Sequence, residues 1–548
     1  MNTFRFPISL AVLALTGAAS AQTVGGGWDT LGQIDGEMDG DSLGTSMDLG
    51  PDIDGDGFPE IVAGLGWRYD AQSQLVGGVQ LLSGRTGARL WSYIPVSGPV
   101  FGSQAGMVVS FVPDLNGDGV VDVISGSYLA NDWEGKVIVL SGRDGSVIRE
   151  HDGERSLFHG NGERWGAAVL GVPDMNGDGA GDYVVGGPSH EGPSGERIAG
   201  RVVCFSGLTG MMLWEKIGLN FSDGIGEILT IGPDLNGDGR LEILVSTSID
   251  PPGFLRVGTA LLLDGRNGNT LRSYQPSVIS DDHLFSTSLA TIEDMDGDSL
   301  VDFVVGAPGD FGKLGYVTLI SSATGNEIWT YTGDDPYYLL GQKVFVVDDL
   351  NQDGVQDVIV YEPGNRTAGV ESENPLHVIS GLTGERLWFL GPDGGFGSLF
   401  YGVSILAFDR AGDSIPELFV GQAGSGPDPY TSLGRIQVRN YSPFLSTTSP
   451  SLSASAATPL RFELDFPNSE AGHTYRIMAS AAGIGTTVLG GLAIPLVNDS
   501  YFQQTLVAPP QVFQGRLNAS GDLSVQMNFS TASLTPLIGT TMQFAAIS

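Results

Sequence analysis

PDLNGDGVVDVISG, residues 113–126, decides the fold, because close copies of it recur along most of the chain. Asp114, Asn116, Asp118 and Asp122 place an oxygen-bearing side chain at every second position and again four residues on. Copies begin at Asp52, Asp114, Asp174, Asp234, Asp294, Asp349 and Asp409, at steps of 62, 60, 60, 60, 55 and 60 residues. A fixed period of this length marks an architecture in which one supersecondary unit is copied and stacked. An apolar run follows each loop at once: EIVAG, DVISG, DYVVGG, EILVS, DFVVGAP, DVIVY and ELFVG. These runs are short, β-branched and mostly bounded by Gly or Pro, which reads as buried strands rather than helices.

A further strand then leads through a glycine turn into a fourth, as in VQLLSGRTGARLW (79–91) and VVCFSGLTGMMLW (202–214), the pattern of a hairpin. The strand before each loop opens at a glycine eight residues upstream, at Gly44, Gly106, Gly166, Gly226 and Gly341; Ser286 replaces it in the fifth copy, and Gly402 lies one place closer in the seventh. With 82 glycines and no sustained 3.6-residue period, the chain is expected to be all-β. Four strands repeated seven times fit a seven-bladed β-propeller, whose ring closure leaves few open edges; a linear solenoid is the alternative. The seventh repeat has a third strand, GRIQVRNY (434–441), but no fourth, whereas GGGWDTL (25–31) precedes the first repeat and carries a tryptophan like those of the fourth strands. Residues 25–31 are therefore expected to complete blade seven.

The charge balance points the same way. Lys and Arg total 26 against 63 Asp and Glu, a net charge of −37, and 23 of the 63 carboxylates stand at the four acidic positions of the seven loops. Such a chain lacks the basic surface that nucleic acid requires. Residues 1–21 read as a secretory signal, with Arg5, the apolar run Ile8 to Leu15 and Ala19-Ser20-Ala21 before Gln22. No later run is long and apolar enough for a transmembrane helix. The single cysteine, Cys204, lies in an apolar strand and reads as core filler. The propeller is expected to span residues 22–441, followed by a Ser/Thr/Pro-rich linker at 442–458 and a small β-sandwich-like domain at 459–548, where LRFELDF (460–466) and LSVQMNFS (523–530) alternate as half-buried strands.

Oxygen side chains at positions 1, 3 and 5, a carbonyl at 7 and a carboxylate at 9 nearly fill the six to eight positions that calcium takes. Glycines such as Gly117 and Gly119 let the backbone wrap around an ion. An EF-hand would need a bidentate Glu at position 12, and that position is Ala63, Ser125, Val185, Val245, Val305, Val360 or Val420.

With this loop between Trp165-Gly166 on one side and Gly186-Gly187-Pro188 or Gly306-Ala307-Pro308 on the other, the chain resembles the FG-GAP repeat family, the seven-bladed propeller of integrin α-subunit heads and of secreted bacterial proteins. The resemblance covers roughly residues 28–441. It implies calcium ligands at Asp52, Asp54, Asp56 and Glu60; Asp114, Asn116, Asp118 and Asp122; Asp174, Asn176, Asp178 and Asp182; Asp234, Asn236, Asp238 and Glu242; Asp294, Asp296, Asp298 and Asp302; and Asp349, Asn351, Asp353 and Asp357. The seventh copy departs from the pattern: Ala411 stands at the third position and Arg410 adds positive charge, so Asp409, Asp413 and Glu417 form a weakened site beside about six complete ones.

No catalytic set stands out. The T-G-x-x-x-W turns at Thr86, Thr209, Thr324 and Thr383 resemble the tryptophan-docking turns of quinone-dependent dehydrogenases, but tryptophans wedged between blades explain them too. The six histidines show no H-E-x-x-H spacing, and no G-x-S-x-G elbow joins a strand to a helix. The expectation is a secreted, cell-surface or periplasmic, monomeric, calcium-binding adhesion module for an extracellular protein or glycan. A propeller enzyme (polysaccharide lyase, hydrolase or quinone-dependent dehydrogenase) is the alternative, and a purely structural surface protein the third reading. The long inserts Trp67–Gly77, Ser189–Ala199 and Tyr361–Pro375 are expected binding loops.

Overall fold

The computed structural model describes residues 26–443 apart from residues 39, 71–74, 96–103, 156–159, 161, 248–257, 277–283, 310–313, 335–337, 352, 364–375, 392–400, 411–415 and 424–432, together with strands at 8–13 and between 445 and 547. The chain divides into two compact units, one of residues 31–350 and 355–438 and one of the two ends together with residues 351–354.

The first unit is a seven-bladed β-propeller. Blade two is typical: Val108–Val112, Asp122–Gly126, Lys136–Leu140 and Val147–Asp152 pair antiparallel in sequence order. Blades one and three to six repeat that order, starting at Leu43, Ala168, Leu229, Ser288 and Lys343. The second strand of each blade is buried along its whole length, which is why its sequence is a continuous β-branched run rather than an alternation. Fourth strands such as Val147–Asp152 are largely exposed or half-buried.

The core consists of layers between neighbouring blades. Ile124 and Val139 of blade two pack with Val169, Tyr183, Val185 and Phe205 of blade three. The same kind of layer joins Phe408, Phe419, Ile436 and Val438 of blade seven to Leu43, Ile61 and Leu82 of blade one. Blade seven has the order Gly26–Asp35, Arg435–Pro443, Glu417–Gln422, Tyr401–Phe408, so its outer strand comes from the start of the propeller sequence. Arg435 bonds Gln33 and pairs with Asp35.

Backbone bridges knit the ring at one end of the blades. Gly77 bridges Ala105, Gly135 bridges Trp165 and Gly200 bridges Ile225, each running from the start of a third strand to the entry of the next blade; Gly434 and Leu43 make the same bridge from blade seven to blade one. A Cβ on Gly135 would lie 2.3 Å from the Trp165 carbonyl oxygen, so only glycine fits there.

Three of the four tryptophans of the T-G-x-x-x-W turns, Trp91, Trp214 and Trp329, are wedges between blades. Indole N–H groups of Trp91, Trp214 and Trp329 donate to the carbonyls of Gly142, Gly265 and Gly381 in the following blade, at 2.7, 2.8 and 2.7 Å. Their rings cover Gly145, Gly268 and Gly384 of that blade's turn. At the closing junction the residue lying over Gly87 is Ile34; the outer strand runs from Gly26 to Asp35, further than residues 25–31, and the side chain of Trp28 lies outside the described residues.

Between blades two and three, His151 stacks on Phe205 at 4.4 Å and shares a hydrogen bond of 2.7 Å with the Tyr183 hydroxyl. Burial, reinforced by Arg149, lowers its pKa to about 4. A depressed pKa contributes stability that is full above the unfolded value near 6.5 and is lost as pH falls towards 4. A His151→Phe variant is expected to lose about 2–3 kcal/mol of that acid sensitivity, read as a flatter dependence of unfolding free energy on pH between about 6.5 and 4.

In the second unit, Leu460–Asp465 pairs antiparallel with Asp522–Met527, the two segments read as half-buried strands. Leu445–Thr447, inside the stretch read as a linker, is a strand on the other edge of Leu460–Asp465. Ile8–Leu13, the apolar run read as part of an export signal, pairs in parallel with Met542–Ile547. An apolar run beside an open strand edge satisfies its backbone in this way.

Candidate metal centre

In each blade the acidic loop joins the first strand to the second. Because pairing is antiparallel, this loop lies at the same end as the turn between strands three and four. Connections between strands two and three, and from one blade to the next, lie at the opposite end.

The loop folds around its first aspartate. Asp114 accepts from Gly117 N–H at 2.7 Å through Oδ1 and from Gly119 N–H at 2.7 Å through Oδ2. Asp52, Asp174 and Asp294 repeat both bonds, and Asp234 accepts from Asp238 and Gly239. Gly117 and Gly119 have φ of 77° and 85°, the left-handed values that bring their N–H groups inward. At the third position Asp54, Asn116, Asn176, Asn236, Asp296 and Asn351 each accept the N–H of the fifth residue. The fifth residues Asp56, Asp118, Asp178, Asp238 and Asp298 accept the N–H two places on. For Asp178 and Asp294 backbone donors, first among them the N–H groups of Ala180 and Ser299, hold the carboxyl below its usual range.

The ninth residue behaves differently. Glu60, Asp122, Asp182, Glu242, Asp302, Asp357 and Glu417 are buried. Asp122 Oδ2 accepts Leu115 N–H at 2.8 Å and its Oδ1 accepts Gly142 N–H at 3.1 Å, so one carboxylate ties the loop to the neighbouring hairpin turn. Asp182, Asp302 and Asp357 make the same two links. Burial, with the like charges of Asp114 and Asp118 adding to it, pushes Asp122 up to about 6. Glu242 rises to about 7 for the same reasons beside Asp234 and Asp238; Glu60, Asp182 and Asp302 are also raised, first by burial. No sequence signal announced the second link, since it depends on where the hairpin of strands three and four returns.

These donor sets fit a hard divalent cation. Asp52, Asp54 and Glu60 bring carboxylate oxygens within 4.8 Å of one another, as do Asp294, Asp296 and Asp302. Glu242 Oε2 is buried with no hydrogen-bond partner, an arrangement that costs free energy unless a cation or proton meets it. Partial compensation comes from the hairpin turns of blades one and two. Arg143 lies 3.2 Å from Asp118 Oδ2, and Arg85 donates to the Asp56 carbonyl; the equivalent residues of blades three, five and six are Leu208, Ala323 and Leu382. Of the seventh loop, Arg410 N–H donates to Glu417, and Asp413 lies outside the described residues.

No family model matches the chain. Over 215 residues it is 26% identical to integrin alpha pat-2 of Caenorhabditis briggsae, an alignment covering 35% of this chain and 17% of that protein. The chain thus spans under a fifth of that relative's length. The crystal structure of Chaetomium thermophilum Raptor matches with a TM-score of 0.45 and 12% identity, over 76% of this chain and 29% of that one. The seven-bladed arrangement together with the partial integrin α similarity supports an FG-GAP-like propeller. Among the described residues no helix is long and apolar enough to cross a membrane.

Proposed function

We propose that this chain is an exported, calcium-stabilised binding module whose calcium ions are structural and whose ligands dock at the end of the propeller remote from them. One observation carries the reading: the acidic loop recurs between the first and second strands of every blade, and in blades two, three, five and six its buried ninth carboxylate ties loop to hairpin. A device repeated in each blade serves the ring. Calcium at Asp52/Asp54/Asp56/Glu60 and the five corresponding sets would neutralise carboxylates that burial and mutual repulsion disfavour. Asp409, Asp413 and Glu417, with Ala411 between them, are proposed as a weaker seventh site.

Recognition then falls to the opposite end. The described parts of the inserts lie there, Ser189–Ala199 in full and Trp67–Gly77 outside residues 71–74; most of Tyr361–Pro375 lies outside the described residues. The similarity to an integrin α chain favours extracellular protein or glycan partners and a surface or secreted location. A screen of matrix proteins and glycans, run with calcium and then with chelator, tests this. Calcium-dependent retention of a partner is expected; retention of none in either condition would contradict it.

A further inference from the structure

Trp133 is 53% exposed, the one tryptophan among those whose side chains are described to face solvent so openly, and it stands on an unusual backbone. Asn131 and Asp132 have φ, ψ of 52°, 45° and 63°, 45°, and Trp133 has φ of 73°. Three successive residues therefore make a left-handed turn. That conformation crowds Cβ against the following carbonyl, which asparagine and aspartate tolerate and a bulky aromatic does not. Burial of the indole does not offset the strain, because the indole is exposed.

The turn is held by its neighbours instead. Arg164 N–H donates to the Trp133 carbonyl at 2.8 Å, Gly135 N–H to the Ala130 carbonyl at 2.9 Å, and Trp165 N–H to the Glu134 carbonyl at 3.0 Å. Gly162 presses so closely that a Cβ there would lie 2.0 Å from the Trp133 carbonyl oxygen. Strain that surrounding contacts enforce on an exposed residue points to use of that residue. Its polar neighbours are fixed as well: Arg155 Nε donates to Glu134 Oε1 at 2.7 Å, and its Nη2 to Asp132 Oδ2 at 3.2 Å. All three of these side chains reach solvent.

We propose that Trp133, with Asp132, Glu134 and Arg155, is a stacking site for a neutral saccharide, an inference that rests on the binding-module reading. A pyranose ring offers an apolar C–H face to an indole, while its neighbouring hydroxyls both donate and accept and so match fixed carboxylate oxygens and guanidinium N–H groups. One guanidinium between two carboxylates leaves a single negative charge, which disfavours an anionic ligand, and since both carboxylates are already paired to Arg155 the set suits a neutral, hydroxylated one; a cationic peptide would have to break the Arg155 pairs. Rigid placement of the four groups spares the ordering cost that flexible loops incur on binding. The turn connects strands two and three of blade two, at the end away from the acidic loops, so calcium does not compete for it.

The test uses the full-length, calcium-loaded chain, titrated calorimetrically and by tryptophan fluorescence with cellohexaose, mannohexaose and maltohexaose, alongside the protein screen above. At least one saccharide is expected to bind and shift the fluorescence, and Trp133→Ala to weaken it by about tenfold or more. Trp133→Gly is expected to weaken it equally while raising the unfolding temperature by roughly 1–2 °C, since glycine relieves the left-handed backbone. Saccharide binding unchanged by either variant overturns this site and leaves the module reading intact. So does binding of a protein partner with no saccharide bound, or capture of a basic peptide through Trp133. Absence of any partner, saccharide or protein, overturns both.

Discussion

Transfer of the chain from about 10 mM calcium into chelator near pH 7.5 is expected to remove about 8–16 kcal/mol of unfolding free energy. The figure follows from mass action. A ligand that binds only the folded state stabilises it by RT ln(1 + [L]/Kd), and the roughly 10⁻⁴ to 10⁻³ M affinities of extracellular calcium sites give about 1.4–2.7 kcal/mol for each of about six loops. Because that approaches the whole stability of an ordinary domain, the melting curve should collapse rather than shift slightly. A single side chain separates metal binding from loop packing. Asp296 is exposed, makes one loose backbone contact at 3.3 Å, and belongs with Asp294 and Asp302 to a close carboxylate set. Asp296→Ala is therefore expected to lower stability by about 1.5–3 kcal/mol in calcium and to match the parent chain in chelator. Equal melting of the two chains in calcium would count against a cation in that loop.

Deleting residues 22–34 should unfold the ring by a different route, at a cost of about 5 kcal/mol or more. Gly26–Asp35 is the outer strand of blade seven, paired to Arg435–Pro443, and Ile34 fills the wedge over Gly87 of blade one. The deletion removes a half-buried aliphatic side chain, roughly 1–1.5 kcal/mol, and several backbone hydrogen bonds of about 1 kcal/mol each. It also exposes a strand edge, which favours aggregation. Thermal unfolding should broaden and move downwards even with calcium present. An unchanged transition would mean that the ring does not depend on this strand.

Most of the architecture was legible because the repeat averages out local ambiguity. One copy of PDLNGDG is an ordinary turn; seven copies, each followed by a wholly buried run such as DFVVGA, define a blade. The loop positions were legible for the same reason, since spacing alone places oxygens at positions 1, 3, 5 and 9. Features set by tertiary contact were not. Ser42, Gln104, Arg164, Leu284 and Leu339 all adopt left-handed backbone, φ 45° to 60°, two residues before the glycine or Ser286 that opens each first strand. Leucine and arginine carry no preference for that conformation, so the junction between blades imposes it. Ser286 has φ of 63° where its counterparts are glycines, and its hydroxyl donates to the Thr259 carbonyl of the preceding blade at 3.0 Å, a bond across the junction that helps offset the strain. Ile34 over Gly87 was not legible, because strand register selects the residue that meets that glycine.

The central claim is that the acidic loops are cation clasps repeated around the ring. Equilibrium dialysis of the full-length chain against calcium, with bound metal counted by atomic emission, tests it most directly. The account predicts about six calcium ions per chain, with one fewer in Asp296→Ala. Fewer than about one ion per chain at millimolar free calcium would contradict it.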